Sequence, residues 1–505
     1  MSDHRGGYVR PMPYPQLGLQ GILGKSRAVS YLNDYLGPLG PTVILHEWPY
    51  VDRHYLDEFA NYYATSFAAP SPHCDRFHFF SGITEEALNG RFDRIYAESD
   101  AETRRKSEAE LSANHYLGFV IKRPLPGATL GRSVLKTYPI EGRRNYAVLR
   151  PYRVNLAGLR LEVEGLAYQQ QDGGAAVCAS TALWSALQQV AHMAGHRTPT
   201  PYAITKAAGS PFPASHGLDY VQMASAIKTL GYIADQFVPG RNWPLFRAKL
   251  VSSLRSHLPV ILFLLRTEDG GEPANAHAVT LTGYSECEQI VNVTASSRHA
   301  PLRMRAGSLK TIYVHDDNLG SHAHYELDDG ADPKNSLMLV RGRSDKPQPA
   351  WLGEWLRDWR VECALVPKPS KLRMPVESLI GATAEISYAL ANACPGMDLD
   401  YHARFDSGVQ YKSSLFDMGL DPAEFRTFQE RLSLPRQIGV VSAYANEGTI
   451  HVYDALIDVT EIRAEPSLLA VVAPGIEARS QAQKLLEQIC ATAKCSRITA
   501  ARTNA

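Results

Sequence analysis

The chain has 505 residues, 45% apolar and 21% charged, with 52 basic against 52 acidic side chains and a formal charge of zero. These are ordinary values for a globular protein, with ample core and about two to four domains. The charge balance argues against nucleic acid or an anionic membrane as the main partner. The seven cysteines, Cys74, Cys178, Cys287, Cys363, Cys394, Cys490 and Cys495, are odd in number and scattered. They fit a reducing compartment better than a disulfide scaffold, and the N-terminus has no apolar signal core, so a cytoplasmic location is expected. No apolar run reaches bilayer length, so no membrane partner is expected.

In chain order, residues 1 to about 20 read as an irregular lead. Ser26–Leu36 reads as a short helix, TVILHEW (42–48) as a buried strand, and Arg53–Ala68 as a helix with aromatic residues at helical spacing. RFHFF (76–80) is a strand, Thr84–Ala113 one long polar helix, and YLGFVIKRPL (116–125) and NYAVLRPYRV (145–154) are strands. Residues 1–150 form an expected α/β domain of unassigned role. His46, His54, His73, Cys74 and His78 lie there without HExxH or zinc-ribbon spacing and read as ordinary histidines.

LRLEVEGLAY (159–168) alternates as a half-buried strand. It feeds QQQDGGAAVCASTALWSALQQVAHMAG (169–195), where Asp172, Gly173 and Gly174 break the chain before Cys178. Ala182, Leu183, Ala186, Leu187, Val190 and Ala194 then recur at helical spacing, so the helix is expected to be buried along a wide stripe. Cys178 falls at its N-terminus, where free amides and the helix dipole favour a thiolate. Helices follow at 217–232 and 245–257, then a continuous apolar strand, LPVILFLLR (258–266). HAVTLTGY (277–284), QIVNVT (289–294), TIYVHD (311–316), HYEL (324–327), SLMLVRG (336–342) and RVECALVP (360–367) complete an antiparallel region. PKPS (367–370) is the linker candidate, which gives a second domain over 151–367 and a third over 368–505. The third is expected to be α+β, with helices at Pro375–Ala393, Pro422–Leu432 and Ile476–Ala493 and strands at 438–444, 449–454 and 468–472.

Three features carry chemistry. Cys178 supplies a nucleophile. His277 opens a strand just after a Gly- and Pro-containing loop, a rigid yet reachable place for a general base. HDDNLG (315–320) offers a group to orient the imidazole: Asp316 first, because it continues the face of Ile312 and Val314, then Asp317, then Asn318. An oxyanion donor is expected just before the cysteine, where Gln169, Gln170 and Gln171 are all available. Gln171 is seven residues ahead of Cys178.

The succession of Gln-x6-Cys on an apolar helix, GLDYVQMASAIKTLGY, LRSHLPVILFL, HAVTLTGY and IYVHDD resembles papain-like cysteine peptidases, the bacterial C39-like peptidases in particular, over about residues 159–330. The resemblance implies an α+β papain-like core, its cysteine helix packed on an antiparallel sheet, flanked by the N- and C-terminal domains. It also implies a Cys178–His277–Asp316 triad with Gln171 at the oxyanion (Gln170, Asp317 and Asn318 as alternatives), a protein or peptide substrate, and no cofactor or metal. The chain departs from the pattern in having Ala179 in place of glycine, 39 residues between His277 and Asp316, and an added segment over 295–310. Readings that share the scaffold are another acyl-transfer enzyme (transglutaminase, deamidase or amidase) and a catalytically silent binding protein. A metal site built from His315, Asp316, Asp317, His322 and His324 is a further alternative.

Overall fold

The computed structural model describes residues 8–138, 144–172, 178–210, 217–267, 273–285, 287, 289–328, 338–342, 359–391, 398–418, 422, 426, 430, 432–460 and 467–472. The fold is α+β. Its first sheet runs β1 (Tyr8–Pro13), β2 (Pro41–Tyr50), β3 (Cys74–Ser81), β4 (Tyr116–Lys122) and β5 (Leu130–Leu135), neighbours in chain order and all antiparallel. The first region is therefore α+β and not the expected α/β. One reason is visible between β3 and β4, where two helices, Glu85–Ala97 and Ala101–Asn114, stand in place of one long one. Asp100 caps the second by accepting the Thr103 amide at 2.7 Å. Two helical passes return the chain to the end it left, so β4 runs against β3. β1 falls where an irregular lead is expected, and its Pro11 and Pro13 are tolerated because it is an edge strand.

After β6 (Arg144–Asn145), β7 (Arg150–Leu156) and β8 (Leu159–Gly165) pair as a hairpin. β8 buries every second residue, as its alternation predicts. Then come β9 (Ile233–Phe237), β10 (Val260–Thr267), β11 (Pro273–Ser285), a small ribbon of β12 (Val291–Val293) and β13 (Leu302–Met304), β14 (Thr311–Asp316), β15 (Gly320–Asp328), β16 (Leu339–Gly342) and β17 (Trp359–Lys368). β10, β11, β14, β15, β16 and β17 follow one another in the sheet, and β17 pairs back onto β10, which closes them into a barrel. β9 extends the other edge of β17.

The Cys178–Ala194 helix lies between the two sheets, and every residue from Ala179 to Ala191 is buried. The expected stripe is thus a whole circumference. It shares one apolar core with the β7–β8 hairpin and with Val43 and Phe119 of the first sheet, and with Ile261, Phe263, Ala278 and Leu365 of the barrel. Two of its polar side chains are met by neighbours: Ser185 donates to Ala167 O at 2.7 Å, and Gln188 Oε1 accepts from Arg150 at 3.0 Å. The N-terminal region also reaches the barrel directly, since Tyr31 packs where a Cβ on Gly320 would lie 1.9 Å from its ring.

The last sheet is antiparallel, β18 (Asp400–Ser407), β19 (Gln437–Ala445), β20 (Ile450–Asp458) and β21 (Ser467–Val472), and packs with the barrel in a second continuous core. The linker candidate is no linker. Pro367 and Lys368 end β17, and Lys368 is fully buried, its Nζ 2.9 Å from Asp235 Oδ2 and 2.7 Å from Met374 O. The added segment over 295–310 packs toward the C-terminal region. Its Leu302, Met304 and Leu309 join the second core, and Arg303 Nε pairs with Asp400 Oδ1 at 3.1 Å. Most of the helix expected at Pro422–Leu432, all of that at Ile476–Ala493, and Cys394, Cys490 and Cys495 lie outside the described residues. No helix among the described residues is long and apolar enough to cross a membrane.

Candidate active site

The buried helix is described from Cys178, which is half-buried. Residues 173–177, including the Gly-Gly turn, lie outside the described residues. His277 sits on β11, opposite Leu264 of β10. The imidazole is 3% exposed, lies 5.7 Å from the Trp359 ring and hydrogen-bonds the Cys178 side chain. Its Nε2 donates to Asp316 Oδ1 at 3.0 Å, which leaves Nδ1 for the sulfur. Burial pushes the imidazole toward neutrality. Asp316 above all, then the Cys178 contact and Asp317, outweigh burial and hold its pKa well above the ordinary value.

Asp316 is fully buried and tightly held. Besides His277, its Oδ1 accepts the Asn318 amide at 3.0 Å and its Oδ2 accepts the Tyr325 hydroxyl at 2.6 Å. Strand alternation would turn Asp317 to the opposite face, but the structure does not keep that alternation. The register breaks after Val314, β14 ends at Asp316, and the turn brings Asp317 Oδ1 to 3.8 Å from His277 Nε2. Asp317 lines a cavity of about 10 Å³ under the cysteine helix, room for one water. Its Oδ2 and Thr181 Oγ1, which lines the same cavity, find no partner among the described residues. Burial pushes the Asp317 carboxyl up to about 7.

The three glutamines diverge. Gln171 reaches the acid loop, its Nε2 donating to Asn318 Oδ1 at 2.7 Å, which leaves its second amide hydrogen for another acceptor. Gln170 turns toward the first sheet, donating to Gly127 O at 3.1 Å, and Gln169 is buried against Glu58. Asn318 therefore orients Gln171 and does not contact His277 in any described hydrogen bond.

Several of the other histidines are occupied by neighbours. His315 donates Nε2 to Leu166 O at 3.1 Å and accepts the His322 amide on Nδ1, so both ring nitrogens are used, and burial pushes its pKa down to about 4. His322 Nδ1 meets Thr282 Oγ1 at 2.9 Å. The acid set sequence reasoning grouped with them for a metal is instead turned toward His277: ligand atoms of His277, Asp316 and Asp317 lie within 4.8 Å of one another. His46 pairs with Asp75, His54 accepts the Trp184 indole N–H at 3.1 Å, and His78 lies between Tyr116 and Glu47.

Sequence reasoning did not single out Tyr325 or Trp359. The strand HYEL was legible, but that its tyrosine crosses to Asp316 depends on hairpin register. Trp359 arrives beside His277 only through barrel closure, which leaves no local signal. Chemically, a half-buried thiol touches an imidazole whose far nitrogen is fixed by a carboxylate, so the ring can take the thiol proton and return it. In comparison with known proteins, no protein-family model and no curated protein matches the chain.

Proposed function

We propose that the protein is a cysteine peptidase built on a papain-like arrangement, with Cys178 as nucleophile, His277 as base and acid, and Asp316 as the group that orients it. The continuous contact from the Cys178 side chain through His277 to Asp316 at a helix N-terminus carries this reading. The thiolate sulfur attacks the substrate carbonyl carbon and a C–S bond forms. The C–N bond then breaks, and the leaving amine takes the proton held by His277. Water, deprotonated by the same imidazole, cleaves the thioester and restores the thiol. The Cys178 backbone N–H and the second amide hydrogen of Gln171 receive the developing oxyanion. With an amine in place of water as acceptor, the same groups would carry out transamidation, and with a side-chain amide as substrate, deamidation.

Cys74, Cys178, Cys287 and Cys363 are all free thiols, which suits a reducing compartment. A cytoplasmic location belongs to the same proposal. Burial pushes the thiols of Cys74 and Cys363 up to about 12, which leaves them unreactive near neutral pH. Iodoacetamide at pH 7 is expected to label Cys178 fastest, as read by peptide mass mapping. Cys178→Ala should abolish that phase and, with it, turnover of a fluorogenic peptide library, and His277→Ala should slow both. Fast labelling at another cysteine with full turnover in Cys178→Ala would end this reading.

A further inference from the structure

We infer that Arg123, with Glu58 and Tyr63, is a clamp by which the first sheet positions the Gln169–Asp172 segment, and so the oxyanion side of the site. This rests on the cysteine-enzyme reading above and extends the site into the N-terminal region. Arg123 follows β4 and its side chain is 1% exposed. Its Nη2 donates to Gln170 O at 2.7 Å and to Ala128 O at 3.0 Å. Its Nη1 faces Glu58 Oε2 at 3.5 Å and Asp172 Oδ2 at 3.7 Å, both carboxylates as buried as the guanidinium. Tyr63 donates to Asp172 Oδ2 at 2.6 Å, and Gln169 to Glu58 Oε1 at 3.4 Å.

The arginine lies across β5 at Gly131, where a Cβ would come within 2.8 Å of its Cγ, so the strand is shaped to admit it. The clamped segment also adds to the sheet edge: Tyr168 exchanges backbone hydrogen bonds with Ser133, and the Gln170 amide donates to Leu130 O at 2.9 Å. Its other side faces the acid loop, through Gln171 on Asn318 and the Tyr168 hydroxyl on Asp317 O at 3.3 Å. The segment thus bridges a rigid sheet and the residues that hold His277, six residues ahead of the nucleophile at its last described position. A buried network of one guanidinium and two carboxylates is a poor way to gain stability compared with apolar packing, but it fixes direction. Here it fixes one backbone carbonyl and two side chains of a single segment. Arg123 touches neither substrate nor sulfur in this scheme, so it is a positioning residue.

The test is hydrogen–deuterium exchange on the full chain. Arg123→Gln is expected to speed exchange at least ~10-fold in peptides covering 169–178, with the rest of the first sheet and the cysteine helix unchanged. Its kcat should fall by roughly 10–100-fold with KM within about twofold, as for a misplaced group used in the transition state, and Arg123→Lys should recover part of the loss. Should Arg123→Gln not fold, Tyr63→Phe gives the same two readouts, with smaller expected changes in the same direction. A folded variant with wild-type exchange over 169–178 overturns the clamp, as does faster exchange with unchanged kcat. If the wild type and Cys178→Ala are equally inert to iodoacetamide, the enzyme reading fails by itself, and the exchange result alone still decides whether the clamp exists.

Discussion

Asp316 and Asp317 are adjacent and buried, and both reach the same imidazole nitrogen, at 3.0 Å and 3.8 Å. Their partners differ. Asp316 is held by a hydroxyl and an amide as well as by His277, whereas Asp317 keeps an oxygen that no described group meets. Asp316→Ala is therefore expected to lower kcat by roughly 10²–10⁴-fold, and Asp317→Ala by less than about 10-fold, in peptide turnover. Asp317 also makes a pH prediction. Its folded pKa is raised, to about 7 from 3.8, so the folded state holds this proton longer than the unfolded chain. The stability it contributes is fully present below about pH 4 and is lost as the pH rises through about 7. Asp317→Asn should melt at the wild-type temperature at pH 4 and several degrees higher at pH 8, as read by thermal denaturation. Cys178 and His277 were legible as candidates, because a lone cysteine on an apolar helix and a histidine at a strand start are local patterns. The relation of the two aspartates was not. A register break decides it, and that depends on what β15 does across the hairpin.

At the scale of elements, the cysteine helix illustrates what periodicity can and cannot say. Its apolar spacing located it, yet the same spacing suggested a stripe, because the sequence does not reveal that a second sheet covers the far face. Trp184 marks that face. It is fully buried, and its indole N–H donates to His54 Nδ1 of the N-terminal helix Arg53–Asn61. Burial pushes the His54 pKa down to about 3, so the ring is neutral and accepts this bond. Trp184→Phe should cost about 2–4 kcal/mol in urea unfolding, from lost packing and from the buried acceptor left unmet. The alternation in β8 was read correctly because one face of that hairpin stays in water. The linker at 367–370 was misread for the opposite reason. Two prolines and a lysine look like exposed chain, but the lysine is satisfied by Asp235, a partner 133 residues away.

Across the whole molecule, a continuous core crosses each expected domain boundary. One core joins the first sheet to the cysteine helix and the barrel, and the other joins the barrel to the last sheet. Lys368 ties the second junction. Its partner Asp235 Oδ2 also accepts the Val376 amide at 2.8 Å, at the start of the helix that leads into the C-terminal region. Removing the cation leaves that carboxylate buried and uncompensated. Lys368→Met is expected to lose roughly 3–5 kcal/mol, and Lys368→Met with Asp235→Asn should regain part of it, as measured by denaturant unfolding.

The closure of the barrel by β17 also sets when the proposed site can exist during the chain's own synthesis. His277 is flanked by Trp359, and β10, the strand behind His277, pairs with β17 along Ile261–Leu265. Until residues 359–368 leave the ribosome, Cys178, His277 and the acid loop have all emerged but the wall that holds them has not. Domains fold as units while synthesis proceeds at about 5–20 residues per second, so some two to nine seconds separate the emergence of Asp316 from that of β17. During that interval the nascent chain carries every proposed catalytic residue without the wall that assembles them into a site.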